Sequence, residues 1–88
     1  MISEEQKITE MRLRIDRIDE KIVKQLNERA KLVITIRELK NQAKLPVFDP
    51  QREQEILTKL ALINEGPLKE EPLKDIYSKI LARMKNNE

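Results

Sequence analysis

Arg29 is the residue in this sequence that most needs a chemical explanation. Aliphatic residues recur at heptad spacing along the first forty positions, and position 29 falls in the series 8, 15, 22, 29, 36, where leucine or isoleucine is expected. Its helical neighbours three and four residues away are Gln25, Leu26, Leu32 and Val33, none of them acidic. Lys24, by contrast, has Glu20 and Glu28 four residues to either side and reads as a solvated surface charge. A guanidinium in an apolar seam is costly unless something anionic meets it. The bland reading is a carboxylate brought from elsewhere in the fold, or a side chain that snorkels to water. Lys40 repeats the pattern, with Ile36, Arg37, Ala43 and Lys44 at helical spacing. Eleven residues are about three turns, so Arg29 and Lys40 share one face with Cα atoms roughly 16 Å apart, enough for two long side chains to grip a small anion. Arg37 also has no acid at these spacings, but it lies off the seam and is expected to face water.

The segment Pro46-Val-Phe-Asp-Pro-Gln-Arg-Glu53 supplies further charges. Asp49 is first of all a helix N-cap, a role that can coexist with ligand binding. Arg52 can pair with Asp49 or Glu55, and Glu53 can be a first-turn acid favoured by the helix dipole. Arg12 has Asp16 four residues on. Its face is turned by about 100° from that of Arg29, so within one straight helix the two cannot readily serve one site. In an antiparallel dimer, however, Arg12 of the partner subunit can reach it.

The elements that must position these groups follow from where the chain is broken. Residues 1–45 hold no Gly and no Pro; the breakers are Pro46, Pro50, Gly66, Pro67 and Pro72. The first segment predicts one helix from about Glu4 to Ala43, opened by a Ser3/Gln6 capping box. Its seam is Ile8, Met11, Ile15, Ile18, Ile22, Leu32, Ile36 and Leu39, widened by Leu26 and Val33, and it stops ahead of Pro46. Asp49-Pro50 starts a second helix with apolar face Ile56, Leu57, Leu60, Ala61 and Ile63, stopped by Gly66-Pro67. A third begins near Glu70, with stripe Leu73, Ile76, Tyr77, Ile80, Leu81 and Met84. The fold class is all-α, one long helix and two short ones, and residues 1–88 form a single domain.

The short helices can cover only the C-terminal half of the long one. Ile8, Met11, Ile15, Ile18 and Ile22 are then left bare, at roughly 1.5–3 kcal/mol forgone for each if fully exposed. A second copy of the chain is the cheapest cover, so a homodimer with paired long helices is expected. Composition removes other classes of function. Without His or Cys there is no zinc finger, thiol nucleophile or Ser-His-Asp triad, and no metal site is expected. One Gly rules out a dinucleotide fingerprint and a P-loop, and no cofactor is expected. Lys and Arg total 18 against 16 acids, interspersed and giving a net charge of +2, with only two aromatics, so nucleic acid is not the expected partner. The longest apolar run, Leu60–Ile63, is far too short for a membrane span. The lack of Cys fits a cytoplasmic protein.

Four blocks together, Met11-Arg-x-x-Ile-Asp-x-Ile-Asp-x-x-Ile22, Leu26-Asn-Glu-Arg-Ala30, Lys40 and Pro46-Val-x-Asp-Pro-x-Arg-Glu53, resemble the all-helical chorismate mutases over nearly the whole chain. The resemblance implies an intertwined three-helix homodimer that converts chorismate to prephenate in aromatic amino acid biosynthesis. It implies that Arg29 and Arg52, with Arg12 of the partner subunit, grip the two substrate carboxylates. Lys40 then donates to the ether oxygen of the breaking bond, while Asp49 and Glu53 hold the ring hydroxyl. The third helix departs from the pattern. Met84 stands where the family has a substrate-contacting Ser, and Glu88 where it has a Gln that donates to the ether oxygen. A carboxylate there helps only when protonated, giving a rate that rises toward mildly acidic pH, or else Glu88 has no role. Two alternatives stay open: an isochorismate pyruvate-lyase of the same fold, disfavoured by the Asp49-Pro-x-Arg-Glu53 match, and a non-catalytic helical dimerisation or regulatory module.

Overall fold

The protein is described by a computed structural model that covers Met1, residues 3–84 and Glu88. Its elements are three helices, α1 (Glu4–Gln42), α2 (Pro50–Ile63) and α3 (Glu70–Met84), with no strand among the described residues. The all-α expectation holds, and each helix begins within a residue of where its start signals lie. At the head of α1 the capping box is reciprocal: the Ser3 amide donates to Gln6 Oε1 at 2.9 Å, and the Gln6 amide donates to Ser3 Oγ at 3.2 Å. At the head of α2, Asp49 accepts from the Arg52 amide at 3.1 Å, and Pro50 takes a position that needs no donor.

The ends are made differently from their beginnings. Past Gln42 the Leu45 amide donates to the Lys40 carbonyl at 2.8 Å and the Lys44 amide to the Asn41 carbonyl at 3.2 Å. These are the paired bonds of a Schellman motif, with Lys44 in the left-handed position at φ 57°. Glycine normally occupies that place because a Cβ there crowds the backbone. The helix α2 stops at Ile63, before the Gly66-Pro67 pair expected to end it. Asn64 is the cause: its amide still donates to Leu60, its Nδ2 donates to the Leu68 carbonyl at 2.7 Å, and its Oδ1 accepts from the Gly66 amide at 3.1 Å. One side chain therefore ties the whole α2–α3 turn, and Gly66 supplies the positive φ of 75° that the turn requires.

The chain divides into two compact units, Met1–Lys31 and Leu32–Glu88. The second holds the last turns of α1 together with α2 and α3, which pack against each other. Each of its helices buries one aliphatic side chain among the described residues: Val33 from α1, Ile56 from α2 and Leu81 from α3, the last fully, at 0% exposure. The only helix among the described residues of the first unit is α1, and its seam is half bare: Ile8, Met11, Ile15, Ile18 and Ile22 keep between 47% and 55% of their surface. No helix among the described residues is long and apolar enough to cross a membrane.

Candidate active site

Within Leu32–Glu88 the structure gathers three of the charged residues that the sequence singles out. Lys40 comes from the last turn of α1, Arg52 from the first turn of α2, and Glu88 from beyond α3. One carboxylate joins them. Glu88 Oε1 forms an ion pair with the Lys40 ammonium, and Glu88 Oε2 lies 3.8 Å from Arg52 Nε. The Lys40 and Glu88 side chains keep only 15% and 12% of their surface exposed, so this contact is largely withdrawn from water. That matters energetically, because an exposed ion pair contributes little, whereas a half-desolvated charge needs its partner.

Lys40 has a second contact that sequence spacing does not reveal. Its Nζ donates to the Val47 carbonyl at 3.2 Å, so the loop between α1 and α2 fixes where the ammonium points. The Schellman bond into the Lys40 carbonyl holds the same residue from its backbone side. Arg52 is more open, with 46% of its side chain exposed, and its Nη1 also lies 3.6 Å from Glu55. Of the two partners the sequence offers its guanidinium, Glu55 is the one it meets, while Asp49 takes the Arg52 backbone amide. Asp49 and Glu53 are both half-buried at the head of α2, and the Glu53 amide donates to the Asp49 carbonyl at 3.3 Å.

The remaining expected residues, Arg12 and Arg29, belong to Met1–Lys31. Arg29 is half-buried, as befits a seam position, while Arg12 is exposed. Arg37 departs from its expected place in water. It is half-buried, and its Nη2 donates to the Met84 carbonyl at 3.2 Å, at the C-terminal end of α3. Arg37 and Met84 are 47 positions apart, so no local pattern could have shown the bond. It also shows what Met84 contributes here, which is a carbonyl. Among the described residues no group of three or more carboxylates could hold a metal ion.

The charges of this arrangement suit an anion. An ammonium and a guanidinium from different helices face one carboxylate, and the guanidinium can offer its flat fork while the ammonium acts as a point donor. The chemistry such a set of groups suits is the holding and polarising of an anionic molecule.

Comparison with known proteins gives the family. The chain is 43% identical over 81 residues to a bifunctional chorismate mutase/prephenate dehydratase of Aquifex aeolicus, a match that takes in 88% of this chain and 22% of that protein. It is 42% identical over 55 residues to a chorismate mutase of Methanocaldococcus jannaschii, covering 62% of this chain and 56% of the other. The chain thus spans about a fifth of the first relative and somewhat over half of the second. Among solved structures, a chorismate mutase from Thermus thermophilus superposes with a TM-score of 0.87 at 33% identity, covering 89% of this chain and 98% of that one. The family described as Chorismate mutase type II matches residues 11–88. With four-fifths or more of its length accounted for in this way, the chain belongs to the chorismate mutase type II family.

Proposed function

We propose that residues 1–88 act as one catalytic domain that converts chorismate to prephenate, a Claisen rearrangement serving aromatic amino acid biosynthesis. The reading is carried by one observation: cations from α1 and α2, Lys40 and Arg52, converge on a single carboxylate, and Lys40 and that carboxylate are largely withdrawn from water while Arg52 stays open. The reaction is unimolecular and needs no nucleophile, metal or cofactor. It needs a flexible dianion folded into its compact conformer and negative charge stabilised on the departing ether oxygen.

Each residue answers one of those needs. Arg52 and Arg29 bind the substrate carboxylates through bidentate forks, joined by Arg12 of the partner subunit. Lys40 donates to the ether oxygen, held in aim by the Val47 carbonyl. Asp49 and Glu53 accept from the ring hydroxyl, and Glu88 adds a donor to the ether oxygen in its protonated form only. The working unit is a homodimer, which Arg12 requires. Its support is the bare stripe from Ile8 to Ile22, whose cover would recover about 1 kcal/mol per residue before the cost of association. The setting is cytoplasmic, in keeping with a chain free of cysteine.

The test is to supply chorismate and isochorismate separately and identify the products. Prephenate from chorismate supports the reading. Pyruvate released from isochorismate assigns a lyase instead, and untouched substrates leave a dimerisation module.

A further inference from the structure

The carboxylate that joins the two cations belongs to the protein itself. Glu88 presents one oxygen to Lys40 and the other to Arg52, and its side chain is 12% exposed. A substrate carboxylate or ether oxygen approaching the same two cations meets an anion already seated there. We propose that ionised Glu88 is an internal competitor, occupying the cationic pair in the free protein and leaving it when substrate binds. The proposal rests on the functional reading above, since it names what guards that same site.

The physical argument is one of shared donors. The ammonium of Lys40 has three hydrogens, one of them committed to the Val47 carbonyl. Arg52 is already divided between Glu55 at 3.6 Å and Glu88 at 3.8 Å. At these longer separations the guanidinium is held loosely and can turn to a better acceptor. A dianion gathers more favourable contacts than one carboxylate, so it displaces Glu88 while bearing the cost of opening the pair. Binding is then weakened by the fraction of time the pair stands open: a pair closed nine-tenths of the time raises the apparent KM about tenfold. Ionised Glu88 thereby sets affinity from the closed state, apart from the donor role of the protonated form.

The experiment compares the full-length protein with its Glu88→Gln and Glu88→Ala variants at one mildly alkaline pH, after circular dichroism has confirmed equal helicity. Chorismate turnover is measured with kcat and KM resolved, and malonate binding is measured by calorimetry. Competition predicts that both variants lower KM and tighten malonate binding by about tenfold, alanine no less than glutamine. If Glu88 were only a substrate donor, Glu88→Ala would lose kcat without gain in affinity; if it were only a structural tie, both variants would melt earlier with KM unchanged. Either result overturns the proposal. Should one variant fail to fold, the other decides. Malonate binding keeps the two claims apart: tighter binding with no chorismate turnover by wild type retains the internal competitor and refutes the mutase, whereas turnover with unchanged affinities does the reverse.

Discussion

Truncating Lys40 to alanine deletes the ammonium that pairs with Glu88 and donates to Val47, and leaves the backbone free to keep its helical bonds. The catalytic effect follows from where charge develops. One donor aimed at the oxygen that gains charge in the transition state is worth about 3–4 kcal/mol, so kcat should drop between a hundredfold and a thousandfold. The structural effect is smaller. Two part-buried acceptors lose a charged donor, at about 1.5–3 kcal/mol for a bond of that kind. Water can reach the 12–15% of surface that stays open, which places the loss at the lower end, about 1.5 kcal/mol. For a domain of this size that lowers Tm by about 6–12 °C. The assay is steady-state loss of chorismate under saturating substrate, beside thermal unfolding and sedimentation of the same preparation. A folded dimer with almost no turnover is the expected outcome. Near-normal kcat in the folded variant refutes the role of Lys40 and the charge argument with it.

Three further outcomes follow from particular residues. Lys44→Gly relieves the left-handed residue at φ 57° and should raise stability by about 0.5–1 kcal/mol in chemical denaturation, with turnover unchanged. Asn64→Ala removes the side chain that binds both the Leu68 carbonyl and the Gly66 amide, and should cost about 1–2 kcal/mol in the same measurement. Ile18→Asp puts a charge into the bare stripe of α1 and should weaken self-association by roughly a hundredfold in sedimentation equilibrium; a dimer of unchanged strength would remove that stripe from the interface.

Helix starts were legible because their signals are local. Ser3 with Gln6, and Asp49 with Pro50, each fit a bonding pattern that closes within three residues. Ends were harder to read wherever the usual residue is missing. Nothing in Lys44 announces a left-handed cap, and Asn64 ends α2 through a bond to Leu68 that depends on the path of the turn. The candidate site divides in the same way. Lys40 was marked by the absence of acids at helical spacing, since an uncompensated charge near a seam is visible along one helix. Its partner Glu88 lies 48 positions away, and only the folded chain brings the two together. Arg37 shows the weakness of that local test: it too has no acid at helical spacing, yet it serves the Met84 carbonyl at the end of α3.

The most direct measurement is a crystal structure of the protein with a bicyclic dicarboxylate that mimics the compact transition state. A carboxylate of the ligand on Arg52, its ether oxygen within hydrogen-bond reach of Lys40 Nζ, and Glu88 moved off both cations are the predicted result. A ligand bound elsewhere, with Glu88 still joined to Lys40, would contradict it.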